Sequence, residues 1–298
     1  MKFEIVCDSA VDLPKSYTDE AQLTVVPFYV SMDGEHYMKE GVDIGIQEFY
    51  QTMVDHSDCF PKTSMPSIQD YMDAFLPFVK TGTPVLCICL TRKFSGSLQS
   101  ALNAKAALEE DYPDAKIYVM DSQLVTDLQG LFVKEAVRLR DMDLEMEKAV
   151  PLLEEIRGTG HIFFTTKDLK YLQHGGRLGK VASIAGSMLD LKPVLHFCNG
   201  ELAPTEICRG RKRSLIKVAD KFFDYLKEQQ MDLRGYRMAT GIGLDLGENE
   251  GFRQMLQERM DEQGICPDEF DQMHIGATIG VHTGPYPIGL GFLKKCNV

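Results

Sequence analysis

Val85-Leu86-Cys87-Ile88-Cys89-Leu90, running directly into Thr91-Arg92-Lys93-Phe94-Ser95-Gly96-Ser97, is the stretch that decides the fold. An unbroken apolar run of this length reads as a strand buried on both faces, with Cys87 and Cys89 acting as small apolar side chains. The polar turn after it opens a helical period from Leu98 to Leu108. The same alternation recurs on either side. Phe3 to Cys7 is a strand ending at Asp8-Ser9, and Leu23 to Val30 is a second. Lys116 to Met120 ends at Asp121-Ser122 and precedes a helix from Leu124 to Arg140. This is the pattern of an α/β unit with a largely parallel sheet, in which ligands sit beyond the carboxyl ends of the strands. Three of those ends carry hydroxyls: Ser9, Ser95 and Ser122.

A Glu- and Leu-rich helix, Leu144 to Arg157, stops at Gly158-Thr159-Gly160, which divides the chain into units 1–158 and 159–298. The second unit reads as α+β with mixed or antiparallel pairing. Leu195 to Phe197, Asn199-Gly200 and Leu202 to Cys208 form a hairpin with a strong turn signal. A helix from Ser214 to Gln230, a strand from Met238 to Leu244 and a helix from Gly251 to Gln263 follow. Strands from His274 to Val281 and from Ile288 to Leu293 complete the unit.

The chain has 298 residues and a formal net charge of -12, which argues against a nucleic-acid partner, since phosphate binding rests on clustered Lys and Arg. No segment has the length of a membrane-spanning helix, and the N-terminal apolar run meets Asp8 too soon for a signal peptide, so a cytoplasmic protein is expected. The eight cysteines form no C-x-x-C pair and read as reduced thiols. Zinc needs four ligands at recognisable spacing, and none assemble from the sequence.

Three features carry chemistry. Ile279-Gly280-Val281-His282-Thr283-Gly284-Pro285 ends an apolar, strand-like run on a histidine held by a Gly-Pro turn. Thr63-Ser64-Met65-Pro66-Ser67 precedes a helix from Ile68 to Val79, with Ser67 as the natural cap and Thr63 and Ser64 left over. Ser95-Gly96-Ser97 either caps the following helix or offers hydroxyls and free backbone N–H groups to an anion. Together they suggest a small oxyanion site with no metal, cofactor loop or cationic clamp. The loop Gly175-Gly176-Arg177-Leu178-Gly179-Lys180-Val181 fails the phosphate-loop spacing, and Gly241-Ile242-Gly243 with Gly247 fails the dinucleotide one. Met188, in the run Ile184 to Leu189, is a candidate apolar lining residue. The basic run Arg209, Arg211, Lys212, Arg213 is either solvated surface or a dock for an acidic partner.

In this order the motifs resemble the DegV family over nearly the whole chain. They are Asp8-Ser9-Ala10-Val11-Asp12-Leu13, Thr63 to Ser67, Ser95 to Ala101, Asp121-Ser122, Tyr171 to Leu178 and Ile279 to Pro285. The resemblance implies a two-domain α/β protein holding one long-chain fatty acid in a tunnel between the domains. It implies the fatty-acid-binding component of a fatty acid kinase, with a separate ATP-dependent kinase subunit phosphorylating the carboxylate. By motif, Thr63, Ser95 and His282 hold the carboxylate, with Ser64, Gly96, Ser97 and Gly280 in support. Arg177, Arg209, Arg211 and Arg213 match positions at the rim or the kinase dock. No catalytic residue or cofactor is implied beyond the bound acid, and membrane contact is at most transient. Departures from the family pattern are Ser97 for Thr, Phe94 before the serine, Tyr286 after Gly-Pro, and an acidic residue displaced to Glu40.

Two rival readings remain at this level. A serine-type lipid hydrolase uses Ser95 as nucleophile and His282 as base, with Asp121 the only nameable orienting acid, although the G-x-S-x-G elbow is missing. A sugar- or triose-binding kinase module predicts a polar pocket.

Overall fold

The computed structural model describes residues 2–167, 169–177 and 191–298. The first half runs β1 (Glu4–Asp8), α1 (Lys15–Glu20), β2 (Thr24–Val26), β3 (Tyr29–Ser31), β4 (Met38–Lys39), α2 (Ile46–Asp55) and β5 (Lys62–Ser64). It continues with α3 (Ile68–Thr81), β6 (Val85–Cys89), α4 (Ser97–Asp111), β7 (Ile117–Asp121), α5 (Thr126–Asp141) and α6 (Met146–Ile156). The second half holds β8 (His161–Thr165), α7 (Lys170–His174), β9 (Leu191–Cys198), β10 (Glu201–Arg209), α8 (Arg211–Glu228) and β11 (Tyr236–Ile242). It closes with α9 (Leu246–Gln263), β12 (Glu269–His274), α10 (Ala277–Thr283) and β13 (Ile288–Lys294).

The strand read from Val85 to Leu90 lies inside a parallel sheet of order β2-β1-β6-β7, every residue of β6 buried. β4, β3 and β5 form a small antiparallel sheet. The second half builds a mixed sheet of order β10-β9-β8-β13-β11-β12, in which only β11 and β12 pair in parallel. The Asn199-Gly200 turn has both residues at positive φ, as a tight hairpin turn requires. The sheets change over between β7 and β8, yet the packing does not stop there. Helix α5 is buried nearly all round, and one apolar cluster runs from Phe3 and Leu131 to Phe197 and Leu293. Inside it, Glu135 is neutralised by Arg138 and Arg237, whose proximity holds its carboxyl below the ordinary range despite burial.

Two expected strands differ from the reading: one is divided and one is largely a helix. Leu23 to Val30 divides at Pro27, which has no N–H for a ladder, so β2 joins the parallel sheet and β3 the small one. Ile275 to Val281 is not extended. β12 ends at His274, and Ala277–Thr283 is the helix α10, closed by Gly284 at φ 77°. A short apolar run fits a buried strand or a buried helix equally well. The arbiter is Glu40. Its buried carboxylate accepts from the Thr278 N–H at 2.9 Å and from the Thr278 hydroxyl at 2.7 Å, satisfying the free N-terminus of the helix. Helix α8 also begins earlier than the sequence suggests, so Arg211, Lys212 and Arg213 form its first turn.

Candidate functional site

A cavity with about 1030 Å³ of empty space, open solvent at its mouth included, lies between the two halves. Leu90, Phe94, Val125 and Phe28 face it from the first half, and Ile162, Phe164, Leu172, Phe197, Leu202, Ile275 and Ile279 from the second. The wall is largely apolar, against the expectation of a sugar or triose site. Met188 lies outside the described residues, as does the loop from Leu178 to Val181.

Polar groups converge from four elements. Thr63 comes from β5, Ser95 from the turn before α4, His282 from the last turn of α10, and Arg177 from the segment after α7; all four line the cavity. Thr63 Oγ1 and His282 Nε2 are 3.4 Å apart. Ser95 Oγ accepts from the Ser97 N–H at 3.1 Å, which leaves its own proton free to donate. Gly96 also faces the cavity, and the Met65 thioether lies so close over it that a Cβ there would come within 2.5 Å of the sulfur. Burial, helped by the charge of Arg177, pushes the His282 imidazole down to about 4, so at neutral pH it is uncharged. Its Nδ1 faces the backbone of Gly175 and has no hydrogen-bond partner. A proton on Nε2 therefore points at Thr63 and the cavity.

The cluster supplies two hydroxyl donors and a neutral N–H donor, with one guanidinium at the rim. Arg177 donates to the Phe94 carbonyl at 3.2 Å and to the Gly175 carbonyl at 2.6 Å. The oxyanion site thus has a cation beside it, unlike the clamp-free site read from the motifs. Such a set satisfies a carboxylate drawn in behind an apolar chain, whose desolvation would otherwise oppose binding.

Other expected site residues stand elsewhere. Ser97 is fully buried beneath the turn, its hydroxyl donating to Asp8 at 2.8 Å and bonded to the Tyr71 hydroxyl at 2.6 Å. It braces the loop and does not reach the cavity. Asp8 also accepts from the Leu90 N–H and from Gln129, and burial still raises its carboxyl to about 6. Ser64 is exposed and outside the wall. Gly280 packs against Tyr50, and a Cβ there would come within 2.7 Å of the phenol oxygen. Ser9 bonds Glu40 and the Phe28 N–H, and Ser122 bonds Leu124, so of the three strand-end serines only Ser95 lines the cavity. Tyr286 is not in the wall either; its ring faces Lys167 and its carbonyl accepts from Arg211. Arg211 is tied to Glu248 by paired hydrogen bonds, leaving Arg209 and Arg213 as the exposed arginines of the run.

The hydrolase geometry is missing among the described residues. No carboxylate reaches His282 Nδ1. Asp121 instead accepts from the Arg92 and Gln123 N–H groups.

One wall residue carried no sequence signal. Asp127, in the first turn of α5, is buried, and its Oδ2 has no hydrogen-bond partner. Burial raises its carboxyl to about 7. It follows Thr126, a β-branched residue held at φ 49°. Its Oδ2 lies where a Cβ on Gly291 would be only 2.9 Å away, and it also faces Gly241.

The comparisons with known proteins agree with this architecture. A family model described as DegV matches residues 2–295. A DegV domain-containing protein of Caldanaerobacter subterraneus is 31% identical, with 99% of each chain covered. The crystal structure of a stearic acid-binding protein from Eubacterium ventriosum superposes with a TM-score of 0.92 at 41% identity, covering 98% of both chains. A fatty-acid-binding DegV family protein from Thermus thermophilus superposes at 0.86 with 26% identity, covering 99% of this chain and 100% of that one. With the family model spanning nearly every residue, the chain belongs to the DegV family.

Proposed function

We propose that this protein binds one long-chain fatty acid in the cavity between units 1–158 and 159–298 and presents its carboxylate to a separate ATP-dependent kinase subunit, which makes the acyl phosphate. The observation that carries the reading is that Thr63, Ser95 and His282 all line one largely apolar cavity, with Thr63 and His282 lying 3.4 Å apart. The relative from Eubacterium ventriosum, 41% identical over almost the same length, is a stearic acid-binding protein, which supports the same ligand class here. Each buried methylene contributes about 0.8 kcal/mol, so a long acyl chain supplies on the order of 10 kcal/mol before ordering costs. Neutral donors then hold the head group, with the Arg177 guanidinium at the rim, so the same site accepts both the acid and its phosphorylated product. The nucleotide is assigned to the partner because neither glycine-rich stretch has the spacing of a nucleotide loop. No helix among the described residues is long and apolar enough to cross a membrane, and we place the protein in the cytoplasm.

The test is direct. Protein purified from cells is extracted with solvent, the lipid is identified, and stearic acid is titrated into the delipidated chain. One equivalent of fatty acid, carried through purification or bound on titration, is expected. Absence of both removes the reading.

A further inference from the structure

Strands β8 and β9 pair antiparallel, with His161 opposite Cys198 and Phe163 opposite His196. His196 and Cys198 are two residues apart on β9 and therefore share a face, the one that His161 joins from β8. The alternate residue Phe197 points the other way and lines the cavity. Helix α8 covers the His161 face through Tyr225. On this face His161 Nδ1 lies 3.0 Å from His196 Nε2, and the donor atoms of His161, His196 and Cys198 all lie within 4.8 Å of one another. All three side chains are half-buried, beside the Asn199-Gly200 turn.

We propose that His161, His196 and Cys198 form a binding site for a divalent, borderline-soft transition ion, with zinc the best match. Two residues at i and i+2 on one strand and a third from its neighbour give three converging ligands and leave a fourth position for water. A tetrahedral ion about 2.0–2.1 Å from each nitrogen needs them about 3.3 Å apart, so the pair has to open by only a few tenths of an ångström. Soft sulfur with two imidazoles suits zinc and disfavours magnesium or calcium. The far nitrogen of His161 is already held, its Nε2 lying 3.0 Å from the Tyr225 hydroxyl, which fixes the ring as an outer partner of a metal ligand does. The hydrogen bond between His161 Nδ1 and His196 Nε2 places a proton on one of the two, so binding takes the tautomers that leave both facing nitrogens bare. On binding, the Cys198 thiol releases its proton to solvent and the sulfur–metal bond forms in its place. Ring stacking is a competing explanation for part of the cluster, since His196 lies flat on Phe163 and His161 on Phe292. Stacking would be served equally by phenylalanine at either position. The hydrogen bond between the two rings accounts for their facing nitrogens, but neither it nor stacking requires a cysteine sulfur within 4.8 Å of both.

The experiment uses the full chain in a Cys59→Ser, Cys266→Ser background, because both of those thiols are exposed. Chelator-treated protein is titrated with cobalt(II), and bound metal and near-ultraviolet thiolate-to-cobalt absorption are followed. Zinc is then titrated by calorimetry in two buffers to count released protons. One saturating equivalent, the thiolate band and proton release are expected. Cys198→Ser should lose the band, Tyr225→Phe should weaken binding roughly ten- to a hundred-fold, and His161→Phe with His196→Phe should keep the stack and the fold while abolishing uptake. Stearic acid should leave the stoichiometry unchanged, because ion and acyl chain occupy opposite faces of β9. No saturable uptake by the parent, or the same band in Cys198→Ser, overturns the assignment.

Discussion

Two parts of the cavity wall handle charge in opposite ways. Thr63, Ser95 and His282 are half-buried, uncharged donors, and the one cation among the described lining residues, Arg177, is exposed and fastened to carbonyls. On the α5 wall, Asp127 is an acid with one oxygen unpaired, raised to about 7 by burial. The first arrangement lets a carboxylate enter. The second favours the protonated form of its carboxyl. Under the proposed function, this contrast would orient an acid whose remainder is apolar, with its carboxylate at Thr63, Ser95 and His282 and away from Asp127.

The contrast breaks most visibly at Asp127. A carboxyl held at about 7 rather than 3.8 binds more protons folded than unfolded, so this group's contribution to stability is greatest below about pH 4 and is lost as pH rises toward 7. Chemical denaturation of the parent and of Asp127→Asn should show the variant's advantage growing by about 2.5 kcal/mol between roughly pH 5 and 8. An acyl chain lying over the carboxyl desolvates it further, so the parent's affinity for stearic acid should also drop above neutral pH while the variant's does not. Parallel curves would mean that water reaches the orphan oxygen and the two walls do not differ.

At the head group the expected loss is of the same order. Ser95→Ala and His282→Ala should each weaken fatty acid binding by about 1.5–3 kcal/mol, the worth of a hydrogen bond to a charged group, with circular dichroism unchanged. Unaltered affinity in both would move the carboxylate elsewhere.

Gly175→Ala tests whether the position of His282 matters separately from its chemistry. A Cβ at Gly175 would stand 2.0 Å from His282 Nδ1, and the glycine is at φ -73°, where alanine carries no backbone strain. The ring must swing away, and affinity should fall by about 1–2 kcal/mol, the cost of a local overpacking. Competitive displacement of a fluorescent fatty acid reads it, and no change would show a ring free to reseat.

The smallest effect is expected outside the cavity. Arg209→Ala with Arg213→Ala removes two exposed charges and leaves the Arg211–Glu248 pair intact. Fatty acid affinity should not change. Acyl phosphate formation with the kinase subunit should slow several-fold at low salt, and the difference should shrink as salt is added. Equal rates at low salt would make the run ordinary surface.

Much of this was legible in the sequence wherever a segment's conformation depends on the segment alone. Ser67 caps α3 through the Asp70 N–H, as its place just before the helix predicts, because a cap is satisfied within one turn. Met65 over Gly96, the brace from Ser97 to Asp8 and the acid of Asp127 left no sequence signal. Each depends on a neighbour brought in by the fold, and Thr126-Asp127 reads as an ordinary helix start.

The sequence by itself determined the parallel sheet, since strands that alternate with helical periods, as Val85 to Leu90 does with Leu98 to Leu108, are joined by the long crossovers that parallel pairing needs. It also determined the hairpin at Asn199-Gly200, whose residues adopt the positive φ that the turn demands. Only the tertiary structure decided that the run ending in His282 coils, because the carboxylate that completes its N-terminus belongs to Glu40, 238 residues before Thr278. Only the tertiary structure decided, too, that His161 meets His196 and Cys198. Their spacing along the chain means nothing until antiparallel pairing sets the register, and side-chain chemistry at a distance is a property of that pairing.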